Sequence, residues 1–522
     1  MHRHVALVAF MLVALLLGGC ATSAIVMAPD RPDRPWTPAT GPDGEIIAGE
    51  PPIPGQPEND TYVLPSNREL EGIPPPRFDI ERPRAYSLPE LIDIAESNNP
   101  ITRNAWNDAR SVALAAGIAE STFLPMVSAG IVDGNQWFHN VTSLGTNDVT
   151  SRGNVEVLAV QWLLFDFGER AALLDVAKQA SAISNIAFTA AHQQVIYSVS
   201  LAFYADAAAR ARLASAAKSL RDAQAVQAAA EDRYKRGIGT VVEVAQTRQA
   251  TAEARLARVQ AQGAAENSYL ALITAIGISP TTQLKIADIS RRKLTSSMTV
   301  PIDRFVSAAL ARRPDVLTGY AALQASLANL RAAQAAFLPK IFFSGNGTRL
   351  SGNLGISAIP GVGAIPGGGG QQLPIVNLPQ NQPPTLQTQY GATALIGATV
   401  PLYDGGLRAA LLEQANDKID KAGTSLVQIR NEAIRQIVVA SNTLKTSLSA
   451  YTASMALAAA AQTTFNSALA AYRSGVGSVS DVTTAERQLL AAKNSATDAY
   501  STALSSAATL ALAGGALGGP PP

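Results

Sequence analysis

The sequence predicts a mainly α protein with a β-barrel portion, built by tandem duplication of one long unit. Three observations carry this. Leu164-Phe165-Asp166-Phe167-Gly168-Glu169-Arg170 returns as Leu402-Tyr403-Asp404-Gly405-Gly406-Leu407-Arg408, and Tyr234-Lys235-Arg236-Gly237-Ile238-Gly239 returns as Tyr472-Arg473-Ser474-Gly475-Val476-Gly477 at the same offset (472 − 234 = 404 − 166 = 238). Such self-similarity governs the architecture. Between the two motifs, Gly168 to Tyr234 and Gly406 to Tyr472 contain no proline, and about 65 helical residues extend ~100 Å. Finally, Tyr390, Ala392, Ala394, Ile396, Ala398, Val400 and Leu402 alternate with small or polar residues, which is strand spacing.

From the N-terminus, His2-Arg3-His4 precedes an apolar run from Val5 to Leu17. The run is too short to span a bilayer and has the form of a secretory signal, so residues 1–19 are expected to be cleaved. Leu17-Gly18-Gly19-Cys20 resembles the lipobox of bacterial lipoproteins, in which the cysteine becomes the acylated N-terminus. Ala21, in place of Asp, favours sorting to the outer membrane. Cys20 is the single cysteine; a buried or redox role is the alternative, but a thiol beside a signal has no core to enter. Residues 20–85 carry many prolines and no apolar period, and read as an extended linker.

The first repeat is expected over 86–300. Ser87-Leu88-Pro89-Glu90 has the form of a helix N-cap with proline in the first turn and an acid at the third position, opening a helix to about Phe123. Met126 to Val132 and Val155 to Phe165 fill strand positions. Asp166 and Gly168 mark the elbow from strand to helix, where an N-capping carboxylate is sufficient reason for the acid, and Arg170 is placed to pair with it. On the long helix that follows, Leu213, Ala216, Leu220 and Ala223 have the spacing of a packing seam. Gly237 and Gly239 turn the chain, and a return helix runs from Val241 to near Gly277.

The second repeat is expected over 301–515, with a tail at 516–522. Asn99-Pro100 and Phe123-Leu124-Pro125 recur as Arg313-Pro314 and Phe337-Leu338-Pro339 at an offset of 214 (337 − 123 = 214). The offset grows in the Gly/Pro-rich stretch 351–384, read as a surface loop. Ile341 to Leu350 and the alternating run supply two more strands. Asp404 and Gly406 repeat the elbow, Gly475 and Gly477 the tip, and a return helix runs from Val479 to near Gly514.

Four strands cannot close on themselves, and an open edge in lipid leaves backbone groups unsatisfied at several kcal/mol each. If they enter a membrane, several chains share one barrel; eight strands from a dimer or twelve from a trimer would both close. Net charge is +1 with 16% charged residues, so there is no basic field for nucleic acid. Of four histidines, His139 and His192 are isolated, and no metal-ligand spacing, phosphate loop or nucleophile elbow is apparent, so neither a metal, a cofactor nor an enzyme is expected.

A strand ending in Leu-Tyr-Asp-Gly-Gly-x-Arg, a long helix, Tyr-Arg-x-Gly-x-Gly and then Asp481-Val482 (Glu243-Val244 in the first copy), all duplicated over about 86–515, resembles the TolC family of outer-membrane efflux and secretion channels. The resemblance implies a homotrimer whose four strands per chain make a twelve-stranded barrel, with helices forming a tapering α-barrel across the periplasm. It implies a passive export duct anchored in outer-membrane lipid. A periplasmic adaptor (membrane fusion) protein would dock on tips containing Gly237, Gly239, Gly475 and Gly477, and an inner-membrane pump of RND or ABC type would supply the energy. Tyr234, Glu243, Tyr472 and Asp481 would lie at a periplasmic aperture, where threefold symmetry makes Asp481 a ring of like charge. As ordinary helix-start acids, Glu243 and Asp481 would instead complement the macrodipole. A conduit for protein secretion is the alternative within this class, and a structural coiled-coil lipoprotein tethered by Cys20 the alternative of another class. Phe167 against Gly405, Glu243 for the commoner Asp and the long 351–384 loop depart from the pattern.

Overall fold

The computed structural model describes residues 84–142, 145–289, 294, 302–352 and 388–518, with short pieces between 27 and 64. The signal, Cys20, most of the linker and nearly all of the 351–384 loop lie outside the described residues. The chain divides into a unit from Met1 to Asp79 and one from Ile80 to Pro522. In the first, Thr40 and Ile46 form an isolated antiparallel bridge, and the Tyr62 hydroxyl donates to the Asp33 carbonyl at 3.3 Å.

In the second unit the order is β1 (Ala85–Tyr86), α1 (Leu88–Asn98), α2 (Pro100–Ser121), β2 (Met126–Thr142), β3 (Gly145–Phe165), α3 (Glu169–Lys235), α4 (Val241–Ile276), β4 (Lys285–Ile286), α5 (Ile302–Leu310), α6 (Pro314–Ala335), β5 (Lys340–Gly352), β6 (Thr388–Thr399), α7 (Leu407–Ser474) and α8 (Val479–Ala513). β2-β3-β5-β6 form one antiparallel sheet in that order, and β1 pairs with β4 in parallel. α3 with α4, and α7 with α8, are the two long helical hairpins.

The single helix expected from Ser87 to Phe123 is two, broken at Asn99. Pro100 has no N–H for the helix ladder and clashes with its preceding turn, so the helix stops and restarts with proline at its first position. The same break recurs at Arg313-Pro314, between α5 and α6. Each pre-proline side chain then closes a return helix. Asn99 accepts from the Ile101 N–H at 2.9 Å and donates to the Ala275 carbonyl at 2.9 Å; Arg313 donates to the Ala513 carbonyl at 2.9 Å and pairs with Asp315 at 2.6 Å. Behind them Gly277 (φ +85°) and Gly515 (φ +63°) hold left-handed turns, and a Cβ on Gly277 would stand 2.8 Å from the Asn99 Cα.

The strands also differ from expectation. β2 and β3 pair continuously from Met126 opposite Gln161 to Thr142 opposite Gly145, far beyond Val132 and Val155, because the residues between are mixed polar and carry no alternation to read. β6 ends at Thr399 rather than Leu402, since Pro401 cannot continue a ladder. On one face of the sheet Tyr390, Ala392, Ala394, Ile396 and Ala398 line up with Phe343 and Ile341 of β5 and with Leu158 and Trp162 of β3. On the opposite face of β3, Val155, Val157 and Ala159 cluster with Leu350, so β3 is apolar on both sides and its alternation is blurred.

Replacing Asn99 with Ala removes a cap and orphans the Ala275 carbonyl. Thermal melts of the detergent-solubilised protein are expected to show a loss of about 1–2 kcal/mol; an unchanged Tm would mean the break is held by Pro100 alone.

Candidate functional site: elbows, seam and hairpin tips

At each elbow the cap position falls to glycine, Gly168 (φ +98°) and Gly406 (φ +88°), not to the aspartate. Glycine has no side chain to cap with, so the aspartate two residues earlier does so. Asp166 accepts from the N–H groups of Gly168 (3.3 Å) and Arg170 (2.8 Å) and from the Arg170 Nε at 2.9 Å. Asp404 accepts likewise from Gly406 (3.1 Å), from the Arg408 N–H (3.2 Å) and from its guanidinium; the Arg408 contact holds its carboxyl below the usual carboxylate range. Arg170 further donates to the Thr122 carbonyl at 2.7 Å and lies 4.8 Å from the Phe123 ring. Arg408 lies 5.6 Å from Phe337. The Asp-x-Gly-x-Arg and Phe-Leu-Pro motifs therefore meet in both copies, as a cation over an aromatic face.

The two elbows differ in cover. Asp166 and Arg170 are buried, whereas the residues just before the second elbow, Leu402 and Tyr403, are 93% and 89% exposed. The first has β5 beside it, tied by Lys340 to Glu169 at 2.7 Å, and the second has no strand on its far side among the described residues.

At the tips the two glycines of each motif do different work. Gly237 (φ +74°) and Gly475 (φ +84°) take the left-handed turn. A Cβ on Gly239 would meet the Tyr234 nitrogen at 3.0 Å, and one on Gly477 the Ala471 Cβ at 3.0 Å. Tyr472 is fully buried with Val226, Ala230, Phe465 and Val482, while its counterpart Tyr234 is half exposed. Arg233 crosses from the first hairpin to the second, its guanidinium 5.2 Å from the Tyr472 ring and Nη1 3.5 Å from the Tyr472 carbonyl. Burial, and then the charge of Glu243, push the Tyr472 hydroxyl up. Tyr472 Oη, Arg233 Nε and Glu243 Oε2 are buried without a hydrogen-bond partner.

The structure thus sets Arg233 against Tyr472 and brings the Glu243 charge near the same hydroxyl, and shows no such link for Tyr234 or Asp481. Asp481 closes a capping box, accepting from the Ser478 N–H (3.2 Å) and hydroxyl (2.7 Å). For Glu243 only the reverse half exists, its N–H donating to Thr240 Oγ1 at 3.2 Å. Sequence reasoning missed Arg233, although its counterpart in the second copy is Ala471, a difference that comparing the copies exposes.

Between the hairpins, α8 packs on α3. Arg212 pairs with Asp498 at 2.7 Å and Arg487 with Glu253 of α4 at 2.8 Å. Next to Arg487, on the side away from Asp498, lies Glu486, 6% exposed and accepting from the Ser219 hydroxyl at 2.9 Å. Burial foremost, opposed by the Ser219 hydrogen bond, reinforced by Asp222 and opposed again by Arg487 and Lys218, pushes its carboxyl up to about 7.

The outer membrane efflux protein family profile matches residues 91–278 and 305–516. The chain belongs to that family. Protein CyaE of Bordetella pertussis is 25% identical over 360 residues, 68% of each chain. The pyoverdine export outer membrane protein OpmQ of Pseudomonas putida is 26% identical over 292 residues, 54% of this chain and 60% of that one. The CmeC outer membrane channel of Campylobacter jejuni superposes with a TM-score of 0.66 at 17% identity, over 82% of this chain and 86% of that chain. The fold is that of an α/β barrel channel, its place is the outer membrane, and its role is efflux. Members of the family are trimeric channels of tripartite systems completed by an adaptor and an inner-membrane pump.

The seam has a pH dependence of known sign. An unfolded Glu titrates near 4.5 and folded Glu486 near 7. Below 4.5 it is protonated in both states and costs nothing; as pH rises through 7 the folded state must bury a charge. Stability is therefore expected to fall between pH 4.5 and 7, by on the order of 3 kcal/mol per chain. Glu486→Gln should flatten that part of the Tm-against-pH curve, and an identical slope in the variant would exclude Glu486 as its source.

Proposed function

We propose that three copies of this chain close into one export duct of a tripartite efflux system, held in the outer membrane by the barrel and by an acylated Cys20. The carrying observation is that the duplication leaves each repeat with a place for a neighbour that only one repeat has filled. β5 of the second repeat pairs with β3 of the first, so the equivalent pairing, β2 onto β6, falls between chains. The helices agree. α6 packs on both α3 and α7 and buries Ala328 and Ala332; their counterparts on α2, Leu114 and Ile118, are 68% and 70% exposed.

The internal pairing sets the register between chains. Gln161 lies opposite Ser344, so the two offsets place Thr399 opposite Gly130 of the partner subunit (161 + 238 = 399; 344 − 214 = 130). Antiparallel neighbours have Cα atoms about 4.5–5.5 Å apart, within disulfide reach. A Gly130→Cys/Thr399→Cys variant is expected to oxidise to a covalent three-chain ladder on non-reducing gels, while each single variant does not. A ladder stopping at two chains would mean a dimer, and no cross-linking would sink the shared barrel.

At the periplasmic end, the hairpin tips around Gly237, Gly239, Gly475 and Gly477 are proposed to dock an adaptor, which couples the duct to an RND or ABC pump. Tyr234, Glu243, Tyr472 and Asp481 are proposed to ring the aperture, with Arg233 as the latch between hairpins. Removing its side chain by Arg233→Ala leaves α3 intact and frees the first tip from the second. Single-channel conductance in planar bilayers is expected to rise above wild type, and an unchanged value would argue that Arg233 only packs. The naming of OpmQ for pyoverdine export supports a small-molecule cargo.

A further inference from the structure

Glu413, Asp417 and Asp420 line one face of α7 near its start, at the spacing of successive helix turns. All three are exposed. None of their carboxylates forms an ion pair or hydrogen bond among the described residues, not even with the neighbouring Lys418 and Lys421. Like charges gathered on one face repel each other, so the row has a cost that nothing in the single chain offsets.

α2 carries the opposite charge. Arg103 and Arg110 flank the Trp106 ring, their guanidinium carbons 5.4 and 4.7 Å from its centre, and both are exposed. A guanidinium stacked on an aromatic face keeps its N–H edge free for a carboxylate. Neither arginine meets one among the described residues.

The internal junction shows how these two faces would meet. On α3 the counterparts of the acids are Asp175, Gln179 and Ala182, each partly covered, and α6 lies on that end of α3, with Arg331 paired to Asp175 at 3.0 Å. α6 runs toward the sheet and α3 away from it, so the ion pair fixes their levels. Seven residues make about two turns, ~10.5 Å, and return to the same face. Seven back from Arg331 is Gln324, and seven on from Asp175 is Ala182 (331 − 7 = 324; 175 + 7 = 182); both are partly covered. The repeat offsets carry this level to Arg110 and Asp420 (324 − 214 = 110; 182 + 238 = 420).

Resting on the reading of three copies as one duct, we propose that Arg110 pairs with Asp420 of the partner subunit, an ion pair at every junction that selects a second copy of this chain as the neighbour. Asp417, one turn away, adds to the attraction, and the indole holds Arg110 in place beforehand, so little side-chain freedom is lost on pairing. The basic and acidic faces are different surfaces, so the contact is head-to-tail and can close a ring. Two acidic faces, or two basic ones, repel, which rejects the wrong approach. Inside the chain Gln324 and Ala182 are uncharged, since covalent linkage already brings them together.

Charge exchange in detergent-purified protein tests the pair, with the oligomer dissociation constant read by native mass spectrometry. Both side chains are exposed in the single chain, so substitution is expected to leave its circular dichroism unchanged. Arg110→Glu and Asp420→Arg should each weaken the oligomer by on the order of tenfold or more, because a like-charge contact recurs at every junction. The double variant Arg110→Glu/Asp420→Arg should recover wild-type affinity to within about threefold. Arg110→Gln, which copies the residue at the internal junction, should keep the oligomer and lose its salt response between about 0.05 and 0.5 M. A double variant as weak as its two single changes combined, an unaffected Arg110→Glu, or a wild-type salt response in Arg110→Gln overturns the pair and leaves the three-chain duct standing. A wild type that stays a single chain would sink the shared barrel, and this pair with it.

Discussion

Backbone hydrogen bonding at two strand edges governs the assembly. β2 and β6 stand at the ends of the four-stranded sheet, and in hydrocarbon neither water nor side chains can satisfy their outward N–H and C=O groups. A sheet of four strands cannot curl far enough to pair its own edges. Everything below the sheet inherits the consequence, because each strand leads through an elbow into a long helix. If the strands are arranged around a closed wall, the helices that hang from them are arranged around one too. Their length fits that role, as no compact core needs helices of 67 and 68 residues.

Duplication supplies this wall cheaply, and its traces show in what is covered and what is not. Equivalent residues have identical local bonding: Asp166 with Arg170 and Asp404 with Arg408, Asn99 onto Ala275 and Arg313 onto Ala513. They differ where the neighbouring repeat is present for one copy only. Lys340 reaches Glu169, whereas the counterparts by offset are Met126 and Leu407, two apolar residues. The junction inside the chain is thus partly ionic, and the same position in the proposed junction between chains carries apolar residues instead.

Much of this was legible in the sequence because the determining residues are punctuation. Proline-free runs bounded by Gly168 and Gly237, or Gly406 and Gly475, set the long helices to within a residue or two. Pro100 was equally visible, yet its break was missed because the apolar pattern resumes in phase behind it and looks like one helix. The outer parts of β2 and β3 are illegible for another reason: Asp133 to Thr142 and Gly145 to Asn154 are held by ladder hydrogen bonds, which leave no mark on side-chain identity. The elbow aspartates accept backbone N–H groups from two residues before the cap position, since the geometry puts a bare glycine there. Arg233 shows in the sequence only as a difference from Ala471 of the second copy, and Glu486 and Ser219 show not at all, because what distinguishes all three is a partner on the other hairpin.

That last group bears on how the tip can move. A buried polar cluster with every donor and acceptor satisfied is rigid, while one left partly satisfied lies close in energy to its opened form. Tyr472 Oη, Arg233 Nε and Glu243 Oε2 are buried and unmatched, and the Arg233 contact to the Tyr472 carbonyl is long at 3.5 Å. Water admitted to this cluster would satisfy all three groups, so separating the first hairpin from the second loses a cation–π contact and apolar cover but regains hydration. Glu486 works in the same direction higher in the seam, where ionising the carboxyl favours a wetter surrounding. The walls above are closed mainly by alanine and leucine packing, although the Asp206–Arg210 pair there also keeps buried unmatched polar atoms. The three unmatched groups of the tip therefore lie where the first hairpin meets the second, and the fully engaged elbow aspartates form the contrasting end of each long helix.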